Sequence, residues 1–120
     1  MSIDELLPPD RPLSLTIRGH ESVPVIEIRG ELEERNAPRL PELVERVLQE
    51  SAPRRVVLDL SGVTFMTAAG VRALLFARRA VESTATPLVL CAPSPIARTV
   101  LRATGDVRYF HIQRDAPAEG

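Results

Sequence analysis

The stretch DLSGVTFMTAAGVRALL, residues 59–75, decides how this chain is read. It leaves an apolar segment, RVVLDL (55–60), passes through a turn of very small residues, TAAG (67–70), and enters an apolar pattern with helical spacing. Strand-to-helix turns often hold phosphates or nucleophiles, because a helix start presents unpaired N–H groups and partial positive charge. This turn offers one hydroxyl, Thr67, beside Ala68, Ala69 and Gly70. Read from residues alone, it is either a reactive site, a site stripped of its reactive group, or a tight corner. In the last case Thr67 caps the helix, and the small residues let it pack closely on the sheet.

The surrounding sequence supplies the frame. LSLTI (13–17) alternates, with Leu13, Leu15 and Ile17 on one side, and VIEIR (25–29) alternates through Ile26 and Ile28. Such strands bury one face. RGHESVP (18–24) between them reads as a hairpin-type loop. RVVLDL and PLVLCA (87–92) are unbroken apolar runs, which suit central strands of a parallel sheet covered on both faces.

Three helices alternate with these runs. Leu40, Leu43, Val44, Val47 and Leu48 form one helical face. Asn36 or Ala37 is expected to cap that helix, with Pro38 and Pro41 in or near its first turn. A second helix is expected from Ala68 to Glu82, with Val71, Leu74, Leu75 and Val81 as core face. Phe76, Ala73, Ala77 and Ala80 make it apolar nearly all round. A third opens with Ser94 as N-cap and Pro95 at the first helical position, and stops at Gly105. RYFHI (108–112) supplies a short last strand. The order β-β-α-β-α-β-α-β predicts an α/β fold, a mixed β-sheet with helices packed against it. Residues 1–12 read as a flexible lead-in, 13–113 as the single domain and 114–120 as a flexible tail.

Composition excludes several function classes. Net charge is −1 and aromatics are 3%, which argues against a nucleic-acid surface. All fifteen cationic residues are arginine, so lysine-dependent chemistry is ruled out. The lone Cys91 permits no intrachain disulfide and reads as a small buried hydrophobe in a reducing compartment. No apolar run approaches the ~18 residues of a membrane span, and the expected location is the cytoplasm. There is no glycine-rich phosphate loop with lysine and no metal-ligand spacing of His and Cys, so neither catalysis, a cofactor nor a metal is expected. His20 and His111 read as surface or edge residues. Asp59 ends an apolar strand as a phosphoaccepting aspartate does in response-regulator receivers. That fold also needs an acidic pair after its first strand and a late lysine, and this chain has neither. Asp59 is therefore expected to support the turn through backbone hydrogen bonds.

VVLDLSGVTFMTAAGVRALL (56–75) resembles the signature of STAS domains, whose best-known members are bacterial anti-sigma factor antagonists. VIEIRGELEERNAPRL (25–40) resembles the family's second strand and its Gly-Glu-Leu-Asp turn. CAPSPIARTVLRATGDVRYFHI (91–112) resembles its last helix and strand. The resemblance implies a STAS-type fold over about 13–112 and a non-enzymatic domain that binds a partner, an anti-sigma factor of serine-kinase fold, to release a sigma factor.

In switchable members that partner phosphorylates the second serine of Asp-Ser-Ser-Gly. Here Thr67, Ala68 and Ala69 replace the Asp and both serines, and Glu33 replaces the Asp of the Gly-Glu-Leu-Asp turn. The phosphoacceptor position is thus Ala69, which has no oxygen to modify, and Thr67 is the candidate substitute. The expected docking surface is the exposed turn Thr67, Ala68, Ala69 and Gly70, with Arg72 on the side of the helix away from Val71, Leu74 and Leu75, and with Glu33, Arg35 and Asn36 on the facing loop completing it. A different class stays open: a non-phosphorylatable scaffold or small subunit of a stress-sensing or lipid- or anion-transport complex. Pairing of two copies through the apolar second helix or an edge strand is open as well.

Overall fold

The computed structural model describes residues 13–20 and 22–115. The expected lead-in, 1–12, and residues 116–120 of the expected tail lie outside the described residues. The two alternating segments form an antiparallel pair, β1 (Ser14–His20) and β2 (Val23–Leu32), with His20 opposite Val23. The connection is therefore much shorter than the expected loop 18–24. Gly19 makes this possible: its φ is +92°, and a Cβ there would meet the Val23 carbonyl oxygen at 3.1 Å. Pro24 precedes the first residue of β2 that pairs with the next strand, so its missing N–H costs no bond in that ladder.

Three parallel strands follow: β3 (Val56–Met66), β4 (Leu88–Cys91) and β5 (His111–Gln113). The helices between them are α1 (Arg39–Ser51), α2 (Ala68–Glu82) and α3 (Pro95–Thr104). The sheet order is β1-β2-β3-β4-β5, so each crossover moves one strand in the same direction. Right-handed crossovers in one direction bring all three helices to one face. There Ile26, Ile28, Leu58, Leu60 and Leu90 of the sheet pack with Leu40, Val44, Val71, Leu74 and Leu101 of the helices. Val25, Val57, Val89 and Cys91 cluster on the other face, so β3 and β4 are buried on both sides, as their unbroken apolar runs predict.

Several local expectations need correction. Pro38, not Asn36 or Ala37, occupies the N-cap of α1, with no side-chain hydrogen bond. Arg108 and Tyr109 lie in a 3-10 turn over Asp106–Tyr109 rather than in the last strand. The α3 signals hold: the Ser94 hydroxyl accepts from the Ala97 N–H at 3.3 Å, and Gly105 ends the helix at φ +76°. His20 ends β1, and His111 is exposed on the edge strand β5.

The largest difference is β3, which continues through SGVTFM to Met66. Glu27 and Arg29 of β2 pair with Asp59 and Gly62, and Gly30 and Glu31 pair with Val63 and Phe65. At each step β3 carries one residue more than β2, which is the geometry of two β-bulges. The first bulge displaces the Ser61 N–H, which donates to Asp59 Oδ1 at 2.9 Å. Asp59 is further held by Arg18, at 3.6 Å, which also pairs with Glu27 at 3.2 Å. Asp59 thus supports the backbone as expected, within a strand rather than a turn. At Gly62 a Cβ would lie 2.6 Å from Arg29 Cγ, so glycine leaves room for the arginine stem.

Cys91 is fully buried, and desolvation pushes its thiol up from 9.0 to about 11. The Asp59 carboxylate adds to this rise, and Arg18 opposes it. A raised native pKa means the thiol contributes stability below pH 9 that is lost as pH rises toward 11. Denaturant midpoints should therefore fall more steeply between those pH values in the wild type than in Cys91→Ala. Parallel slopes would show that the thiol ionises equally well in both states.

Candidate functional site

At the end of β3 the chain turns into α2 within one residue. Thr67 is the N-cap, extended at φ −105° and ψ 176°. Its carbonyl accepts from the Gly70 and Val71 N–H groups at 2.9 and 3.2 Å, closing the first turn. Its own N–H donates to the Leu32 carbonyl at 3.1 Å, which ties the turn to the exit of β2. The side chain makes no cap, contrary to the usual role of an N-cap threonine. Its Oγ1 is buried and has no hydrogen-bond partner.

Gly70 is required by the same close approach. A Cβ there would sit 2.7 Å from the Leu32 carbonyl oxygen and 2.9 Å from Met66 Cγ. The packing expected of the small residues is therefore real, and it rests chiefly on Gly70. Ala68 is exposed, and Ala69 is 9% exposed.

The facing loop follows β2. Asn36 is only 8% exposed, with both ends of its side chain engaged. Oδ1 accepts from the Glu33 N–H at 3.0 Å, and Nδ2 donates to the Glu31 carbonyl at 2.8 Å. Asn36 is thus the brace of the loop. Glu33 is half-buried and pairs with exposed Arg35 at 3.3 Å.

The two loops meet at a shallow groove between α1 and α2. A first depression of about 270 Å³ is lined by Glu34, Ala37, Pro38, Pro41, Ala69, Arg72, Ala73 and Phe76. Of the residues predicted from sequence, Ala69 and Arg72 reach it. Thr67, Ala68, Gly70, Glu33, Arg35 and Asn36 are not part of its lining. Pro38, Pro41 and Phe76, the last 51% exposed, also line it, and no sequence motif points to them. The available signal was Phe76 standing off the core face of α2. Among the described residues no group of three or more His, Cys, Asp and Glu could hold a metal ion. No helix in that range is long and apolar enough to cross a membrane. What the geometry offers is a contact surface: a rigid turn, an apolar groove and charged rims.

Comparison with known proteins places this architecture. BtrV of Bordetella bronchiseptica, named as a candidate anti-sigma factor antagonist, is 28% identical over 107 residues, 88% of this chain and 90% of that protein. An anti-sigma factor antagonist from Mycobacterium paratuberculosis superposes with a TM-score of 0.72 at 27% identity, covering 88% of each chain. SpoIIAA, an anti-sigma factor antagonist solved in its unphosphorylated form, gives 0.70 at 23% identity over 88% of this chain and 89% of that one. The STAS domain profile matches residues 14–117, a span that takes in all five strands and all three helices described above. This chain belongs to the STAS domain family.

Proposed function

We propose that this domain is an anti-sigma factor antagonist that docks its Thr67–Gly70 turn and the rim of the adjoining groove onto an anti-sigma factor of serine-kinase fold. Binding there frees a sigma factor for transcription, in the cytoplasm. The observation that carries this reading is Ala69, which stands in the first turn of α2 and lines the groove. By the motif resemblance it takes the place of the family's phosphoacceptor serine.

Phosphorylation adds roughly −1.5 to −2 charges and three acceptor oxygens. Such a group at this turn would repel a partner that is complementary to a neutral surface. Alanine cannot receive it. The nearest replacement hydroxyl, on Thr67, has its oxygen buried. The domain is therefore held permanently in the binding-competent form, and it needs no catalytic group of its own.

Restoring the hydroxyl tests the reading. With a serine-kinase anti-sigma factor from the same genome and ATP, Ala69→Ser is expected to gain one phosphoryl group by intact mass, while the wild type gains none. A wild-type chain that is itself modified, or an Ala69→Ser chain that is bound yet never modified, would contradict this placement of the turn.

A further inference from the structure

We propose that the groove between α1 and α2 receives the same groove of a second copy of this chain, the two copies related by a two-fold axis running along the groove. The depression at Ala69 continues into a second, of about 430 Å³, and Pro38, Pro41 and Phe76 line both. The result is one apolar trough. Among the described residues Phe76 is the most exposed large hydrophobic side chain, and it lines both depressions with the Arg79 guanidinium 5.4 Å from its ring centre. An aromatic side chain half in water on a helix that already has a buried face is the kind of anchor that a protein contact covers.

The walls say what covers it. The α1 side carries Glu34, Glu42 and Glu45, and the α2 side carries Arg72 and Arg79. Among the described residues no ion pair joins the two walls. Glu34 and Arg72 share the first depression, and Glu42, Glu45 and Arg79 share the second, so the charges are matched level by level.

A two-fold axis along the groove exchanges the walls and preserves the level. It sets the acidic wall of one copy on the basic wall of the other, Glu34 against Arg72 and Glu45 against Arg79. It also brings the two Phe76 rings together over the apolar floor. An isologous contact needs this self-complementarity, and a single docking helix would have to carry both charge stripes itself. Ala69 and Arg72 lie in the trough, so self-association and partner binding exclude each other. That consequence alone rests on the function proposed above. It supplies a concentration-dependent off state in a domain without a phosphorylation switch.

Sedimentation velocity of the full chain, without any partner, from micromolar to millimolar concentration, tests the contact independently of function. A monomer–dimer equilibrium is expected. Glu45→Arg and Arg79→Glu should each weaken it about tenfold or more, because like charges then face one another. The double reversal should restore it, since the pairing is re-formed with the signs exchanged. Both positions are on the helix surface, and circular dichroism checks that the folds are intact. A chain that stays monomeric throughout would overturn the proposal and leave the trough to another occupant. A dimer indifferent to both reversals would overturn it equally, by placing the contact elsewhere.

Discussion

Ala69→Glu is expected to lower affinity for the proposed anti-sigma factor partner by about 100-fold, equivalent to about 2.7 kcal/mol, with the fold retained. Ala69 is 9% exposed and lines the groove, so the longer glutamate side chain is expected to leave along the groove toward solvent. Glu34 lines the same depression, and the added carboxylate raises the negative charge at the docking surface. Closing a partner over it removes water from that charge, a cost that a neutral methyl group does not carry. Calorimetric titration of wild type and variant measures the difference. Unchanged affinity, with an unchanged melting curve, would remove the turn from the interface.

Gly70→Ala is expected to destabilise the native state by about 2 kcal/mol, within the usual 1–3 kcal/mol for an overpacked site. Helix propensity alone argues the other way. Alanine is favoured over glycine inside a helix by about 1 kcal/mol, and Gly70 has no positive φ to protect. Packing decides the sign. The new Cβ would lie 2.7 Å from the Leu32 carbonyl oxygen, which cannot simply rotate away because Thr67 N–H bonds to it at 3.1 Å. Met66 Cγ at 2.9 Å blocks the other direction. Relief requires α2 to lift from β2 and β3, which loosens the turn that carries Ala69. Urea unfolding gives the stability change directly. A variant more stable than wild type would show that the helix shifts at little cost, and that the close approach is incidental.

Much of this fold was legible because its signals are local and redundant. Alternation in LSLTI and VIEIR, the unbroken runs at 55–60 and 87–92, and the Ser94-Pro95…Gly105 frame of α3 each point to one element, and each element is present. The far half of β3 was not legible. Two bulges interrupt the period of two, so SGVTFM shows no alternation although Gly62, Val63, Phe65 and Met66 pair with β2. Residue type also misled at single positions. Asn36 reads as a helix cap or a partner contact, but its amide is spent inside the loop on Glu31 and Glu33. Thr67 reads as a side-chain cap, but its backbone carbonyl closes the turn while the hydroxyl stays buried.

The candidate site divides in the same way. Ala69 and Arg72 could be placed from the motif, because the motif fixes where α2 starts. The trough beside them could not, since it depends on how α1 and α2 pack. No spacing within either helix specifies that Pro38, Pro41 and Phe76 come together. Phe76 was visible only as an apolar residue on the wrong side of its helix.

The role proposed for the Ala69 turn is docking beyond the reach of a phosphorylation switch. Its most direct test is titration of the wild-type chain into its genomically nearest serine-kinase anti-sigma factor, with ATP present and intact mass read at the end. Tight binding with no gain in mass is the expected result. Absence of binding, or binding followed by the mass of an added phosphoryl group, would contradict it.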